Sequence, residues 1–225
     1  MTKVAAIVPM RHYSERVKGK NYRTFNGKPL FYYIIESLLY TPAITEVVID
    51  TDSPKILEQC KSKFPTVTLL ERPEHLKDGG TPMNDVLLNA VSQIDADFYL
   101  QTHSTNPLLR RETIQNAVKT LLDIYPRYDS LFGVTRWQTR LWDSLARPIN
   151  HNHNILLRTQ DLPPIFEENS CIYLFRRQIL EQKHNRIGDR PYLFEIDPAE
   201  AHDIDEEIDF IVAEIIHKSQ HPNNT

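Results

Sequence analysis

Only two cysteines, Cys60 and Cys171, occur among the 225 residues, far apart and with no CxxC partner. Their number and spacing exclude a disulfide framework and a zinc site and leave two ordinary reduced thiols. A GxGxxG fingerprint is missing, as is a GxxxxGKS/T loop, so neither a dinucleotide fold nor a P-loop nucleotidase is supported. Basic charge is not in excess: 26 Lys and Arg stand against 30 Asp and Glu, a net charge of −4. Nucleic-acid binders normally carry a basic surplus or patch, so no such partner is expected. The apolar-leaning run near the N-terminus, residues 4–10, is too short to cross a bilayer and carries no signal-peptide cleavage site. No internal repeat and no low-complexity segment is visible. The expected setting is the cytoplasm, without a membrane.

What is present suits one α/β domain over 1–225. Forty per cent of the residues are apolar, with ten Tyr and nine Phe, enough for a sizeable core. Val4-Ala5-Ala6-Ile7-Val8 lacks polar alternation, the pattern of a strand buried on both faces. Helical spacing follows over 29–39, with Pro29 in the first turn. Strands are expected at 46–50, 67–70 and 97–100, alternating with helices at 54–64, 83–94 and 112–122. Such alternation implies right-handed βαβ crossovers and a mostly parallel sheet covered on both sides. After Gly133 the rhythm breaks. Residues 136–168, rich in Arg, His, Asn and Pro, read as an extension from the sheet, a hairpin arm. A strand over 170–175 and an amphipathic helix over 204–216 close the chain, and the tail from His221 is expected to fray.

Ligands of open α/β sheets bind at the carboxyl ends of the strands. The loop after the first strand carries Arg11, Arg16, Lys18 and Lys20 within ten positions. Clustered cations of this kind are the usual answer to a triphosphate, although a solvated basic loop has the same composition. Near the other end, Asp203 and Asp205 alternate around Ile204. Extended backbone points both carboxylates one way and the isoleucine into the core. Two hard oxygens there, completed by phosphate and water, make a magnesium site. A competing reading gives Asp205, with Glu206 and Glu207, to the capping of the last helix, but it does not account for Asp203. Asp209, one turn on, is expected to face solvent.

Arg11-x-x-Ser14-x-Arg16-x-x-x-Lys20-Asn21, followed by Asn26-Gly27-Lys28-Pro29-Leu30, resembles the signature of the acylneuraminate cytidylyltransferases, which make CMP-sialic acids and related CMP-nonulosonates. His12-Tyr13 and Val17 depart from the small residues and proline usual there. The resemblance implies a Rossmann-like three-layer α/β/α fold whose 136–168 segment is a small extended dimerisation arm. Arg11 and Lys20 are then the catalytic residues on the CTP phosphates, with Ser14 and Asn21 assisting.

Further segments extend the resemblance. Arg72, in Glu71-Arg72-Pro73, corresponds to an arginine that contacts cytosine. Thr81 lies in a glycine-bearing loop, 78–85, whose backbone can approach the base because glycine has no side chain. His103 and Gln101 fall in a stretch like the family's "LQPTSPLR", positions suited to nucleotide or sugar. Arg158-Thr159-Gln160-Asp161-Leu162-Pro163-Pro164 matches a "RQDLPP" block that holds basic residues near the sugar carboxylate. Thr159 replaces a common arginine, so Arg158, Arg140 or Arg147 is expected to grip the acid, with Gln160 beside it. Asp203 and Asp205 match "DIDT" and imply Mg²⁺. The partners implied are CTP, an acidic sugar and a second copy of the chain. A 3-deoxy-octulosonate acceptor, a glycosyltransferase, and a nucleotide-binding regulatory module that has lost its chemistry are the competing functions.

Overall fold

Buried strands that run parallel need helices on both faces, and the chain supplies them in alternation. The structure, a computed structural model, describes residues 2–221. Strand β1 (Val4–Met10) is buried at every position. A two-stranded hairpin, β2 (Thr24–Phe25) and β3 (Lys28–Pro29), turns through Asn26 and Gly27. Both turn residues have positive φ, 42° and 96°, the backbone that an Asn-Gly pair adopts at least cost. Helix α1 (Leu30–Leu39) follows, then β4 (Glu46–Thr51), α2 (Pro54–Lys63), β5 (Thr68–Glu71), α3 (Met83–Gln93), β6 (Phe98–Gln101) and α4 (Arg111–Ile124). Ser53 caps α2 by accepting a hydrogen bond from Ile56 N at 3.3 Å.

The second half contains β7 (Ser130–Trp137), β8 (Ile165–Phe175), α5 (Arg177–Lys183), β9 (Pro191–Glu195) and α6 (Glu207–Gln220). Seven strands make one sheet in the order β5-β4-β1-β6-β8-β7-β9, and β8 alone runs against its neighbours. The mostly parallel α/β sheet expected from the sequence is present. Strand β7, helix α5 and strand β9 were not legible. Gly133 breaks the β7 pattern because it sits at a bulge, where the β7–β8 register shifts between Phe132 and Val134. A Cβ there would lie 2.6 Å from Asn169 Oδ1 and 2.7 Å from Ile196 Cδ1, so both side-chain ends would have to shift to admit one. The irregular part of the arm is shorter than expected, 138–164, because β7 and β8 pair out to Trp137 and Ile165. Fraying beyond His221 lies outside the described residues.

Alternate residues of β1 enter opposite cores. Val4, Ala6, Val8 and Met10 pack with α1, α2 and α4, while Ala5 and Ile7 pack with α3 and Leu180 of α5. A third cluster joins the two ends of the chain: Val17 from the first loop and Phe25 from the hairpin meet Leu30, Ile204 and Phe210. Val17 and Ile204 are both fully buried, so this cluster fixes where the first loop lies relative to the late aspartates.

Candidate active site

The chain leaves β1 for β4 and β5 on one side and returns to β6 on the other. Such a switch point opens a crevice at the strand ends. A cleft of about 800 Å³ lies there, lined by the first loop, by Asp78 and Gly79, by residues 103–105, and by Asp203 and Asp205. A larger cavity of about 1100 Å³ opens between α1, α4 and α6, but none of the candidate catalytic, nucleotide, sugar or metal residues lines it. The smaller cleft is the one that gathers the candidate catalytic and metal residues.

Basic loop and aspartates meet directly. Arg16 Nη2 lies 2.7 Å from Asp205 Oδ1. Lys20 Nζ donates to Ile204 O at 2.5 Å and stands 3.7 Å from Asp205 Oδ1. Burial pulls the Lys20 ammonium below its ordinary pKa, with Asp205 and Asp203 pulling the other way. Burial raises the Asp203 carboxyl pKa, opposed by the Thr105 hydroxyl. Asp203 Oδ1 is buried and has no hydrogen-bond partner among the described residues. An orphaned carboxylate oxygen beside a second carboxylate is a donor set that suits a hard divalent ion. The helix-capping alternative holds for Glu206 and Glu207 but not for the Asp205 carboxylate. Glu206 and Asp209 form the capping box of α6, and Asp209 Oδ2 accepts from Glu206 N at 2.7 Å and Asp205 N at 3.0 Å. Asp209, expected to face solvent, therefore has a structural partner, and the Asp205 carboxylate is not used in the cap.

The first loop is braced from below. Asn21 Nδ2 donates to Arg11 O at 2.7 Å, and its Oδ1 accepts from Ser104 at 2.7 Å. With both ends engaged, Asn21 holds the loop. Arg11 Nη1 crosses to Gly79 O at 2.7 Å. Ser14 lines the cleft. The unusual His12 is an anchor: its backbone N–H donates to Asp52 at 2.6 Å and its ring Nδ1 lies 2.7 Å from Ser53 Oγ. Arg72 lines the cleft although only 3% exposed, because Asp50 accepts from its Nε at 2.6 Å. Arg72 Nη2 also donates to Asp50 O at 3.4 Å, so Asp50 fixes the orientation of the guanidinium. Thr81 lies elsewhere, in a shallow depression with His75 and Asp85.

Of the residues expected on the sugar side, Gln101 is 0% exposed, behind His103, which lines the cleft. Arg140, Arg158 and Gln160 lie on the arm and do not line the cleft of their own chain. Arg140 donates to Leu157 O, Arg158 pairs with Asp161 at 2.7 Å, and Gln160 O accepts from Gln138 at 2.7 Å. The sequence reading missed Arg186, between α5 and β9, whose guanidinium covers the Tyr173 ring at 3.9 Å and donates to Gln101 Oε1. No local pattern marks it; its partners are 13 and 85 residues away.

The sequence model of the family described as cytidylyltransferase matches residues 5–220. A 3-deoxy-manno-octulosonate cytidylyltransferase of Escherichia coli is 27% identical over 123 residues, 55% of this chain and 48% of that protein. The chain thus spans about half the length of that relative. A CMP-N,N'-diacetyllegionaminic acid synthase of Legionella pneumophila is 28% identical over 232 residues, 94% of this chain and 95% of the other. Among solved structures, a CMP:2-keto-3-deoxy-manno-octonic acid synthetase complexed with CTP superposes with a TM-score of 0.74 at 17% identity, covering 97% of this chain and all (100%) of that one. At that identity the likeness speaks for the fold.

Proposed function

Because the chain belongs to the cytidylyltransferase family, we propose that it transfers CMP from CTP to the anomeric hydroxyl of an acidic keto-sugar, a sialic acid or related nonulosonate, and releases pyrophosphate. One juxtaposition carries the reading: the 11–20 loop with its cations shares a cleft with Asp203 and Asp205, one of them holding a buried, partnerless oxygen. The sugar oxygen attacks the α-phosphorus in line. A new P–O bond forms, the bond from the α-phosphorus to the bridging oxygen breaks, and the hydroxyl proton passes to solvent. Arg11 and Lys20 are the catalytic residues, their cations offsetting charge that builds on the departing pyrophosphate. Arg72, steadied by Asp50, donates to the cytosine carbonyl, and Ser14 and His103 complete the nucleotide pocket. Asp203 and Asp205 are the residues that would hold Mg²⁺, which when bound neutralises phosphate oxygens.

The reading includes a homodimer. The arm exposes Trp142 at 50%, Leu145 at 70% and Leu156 at 89%, more apolar surface than a short segment ordinarily shows to water. Arg140, Arg158 and Gln160 then serve the sugar pocket of the partner subunit. Among the described residues no helix is long and apolar enough to cross a membrane. Two free buried thiols suit a reducing compartment, and the cytoplasm is the setting proposed.

A second acceptor, 3-deoxy-octulosonate, is favoured by the Escherichia coli relative, but that match covers 55% of the chain against 94% for the legionaminic acid synthase. Pyrophosphate release from CTP, UTP and GTP with a panel of acidic sugars separates the readings. Release is expected with CTP and a nine-carbon acid and is lost in Asp203→Ala. Turnover with UTP or GTP alone overturns the cytidine assignment; undiminished turnover in Asp203→Ala overturns the metal assignment.

A further inference from the structure

Gln101 has only one orientation that satisfies its neighbours. Arg186 can donate hydrogen bonds but cannot accept them, and its Nη1 meets Gln101 Oε1. The Gln101 amide nitrogen is therefore turned to His103, with Nε2 to Nε2 at 2.9 Å. An amide NH₂ donates, so His103 Nε2 must be the unprotonated nitrogen and a neutral ring carries its proton on Nδ1. Burial, helped by Arg186 and Lys20, pulls the His103 pKa down to about 4, so the ring is neutral at pH 7. The Nδ1 atom has no hydrogen-bond partner among the described residues, and His103 lines the cleft.

We propose that Arg186 is a positioning residue: acting through Gln101, it fixes His103 as the Nδ1–H tautomer and so presents one directed donor to a substrate oxygen. The same arrangement denies the cleft a base at this ring. Arg186 is well suited to the task and costly for anything less. Its stem and guanidinium are partly buried on Tyr173, and among the described residues its Nε is buried without a partner and no carboxylate forms a salt bridge with it. Glu168 opposes its charge only from beyond the Tyr173 hydroxyl, and a buried cation without a direct ion pair is expensive to hold. Tyr173 is itself fixed, donating through its hydroxyl to Glu168. Lysine could reach Gln101 but lacks the planar face that stacks.

This inference rests on the proposed reaction for its kinetic part, while its structural part does not. Ring ¹⁵N signals of His103, read in a long-range ¹H–¹⁵N correlation spectrum at pH 7, report the tautomer in the ligand-free protein. The unaltered protein should show a protonated-type Nδ1 and an unprotonated-type Nε2. Arg186→Ala frees Gln101 to rotate and should give a mixture, and Arg186→Lys should restore the single form. Gln101→Glu keeps the contact with Arg186, which guards against misfolding, yet puts an acceptor against the ring; Nε2 should then become protonated. In turnover, Arg186→Ala should lower kcat about tenfold with KM for CTP changed less than about twofold, and Arg186→Lys should recover most of the loss. A protonated Nε2 in the unaltered protein, or an unchanged tautomer in both Arg186→Ala and Gln101→Glu, overturns the proposal. Absence of CTP turnover in the unaltered protein overturns the functional reading instead and leaves the spectrum to decide the tautomer.

Discussion

The parallel half of the sheet and the 138–164 arm differ in where their apolar side chains go. In β5-β4-β1-β6 they are closed in by helices of the same chain, and β1 has no exposed position. In the arm, Trp142, Leu145, Ile149 and Leu156 stand in solvent around a single isolated bridge between Trp142 and Pro148. The first region completes its own burial. The second leaves apolar surface uncovered, which the proposed dimer would close, while Arg140, Arg147 and Arg158 bond within the arm itself.

The largest effect that tests this contrast is catalytic. Lys20→Ala should lower kcat by about 10²–10³-fold with every acceptor, since it removes a cation from the reacting phosphates. Arg158→Ala should instead raise KM for the sugar and leave KM for CTP unchanged. A loss of kcat in Arg158→Ala with unaltered sugar KM would erase the division of labour. Next comes stability. Ile7→Ala, in the buried strand, should cost about 3 kcal/mol in urea unfolding at any protein concentration. Leu156→Asp should change the monomer by less than about 0.5 kcal/mol while shifting the sedimentation coefficient from dimer to monomer. If Leu156→Asp leaves assembly intact, the arm is not the interface.

Gly133→Ala sharpens the boundary between the two regions, because the bulge lies where the sheet passes into the arm. The added methyl meets Asn169 and Ile196 at less than contact distance and should cost about 1–3 kcal/mol. The smallest effect is in pH. His103 has a folded pKa of about 4, below its unfolded value, so the unfolded state takes up the proton first. Its contribution to stability is therefore intact above about pH 6.5, falls as pH drops, and levels off below about pH 4. His103→Gln should remove about 1–2 kcal/mol of the destabilisation between pH 7 and pH 5 in parallel urea titrations. Identical slopes for the two proteins would rule out a desolvated ring.

The same contrast explains what could be read in advance. Val4-Ala5-Ala6-Ile7-Val8 announces a two-sided strand because burial on both faces forces an uninterrupted apolar run. The Asp203-Ile204-Asp205 alternation is similarly local, since backbone geometry alone sends Ile204 inward. Strand β7 was hidden by a glycine whose reason is a contact with Asn169 and Ile196, far along the chain. Asn21, expected to assist at the phosphates, does line the cleft, but its bracing role is set by Ser104, 83 residues on, which donates to its Oδ1. Arg186 left no trace for the same reason. Residues defined by a distant neighbour carry no period, and position in a motif does not say which atoms are already engaged.

The cluster of Val17, Phe25, Ile204 and Phe210 also sets an order of events during synthesis. The basic loop leaves the ribosome well before its partner, and Lys20 waits 184 positions for the carbonyl of Ile204. Pairings so remote in sequence form late, after the local helices and their strands. The cleft is thus completed only once residues 203–210 are available, and a nascent chain can hold most of its sheet before that cleft exists.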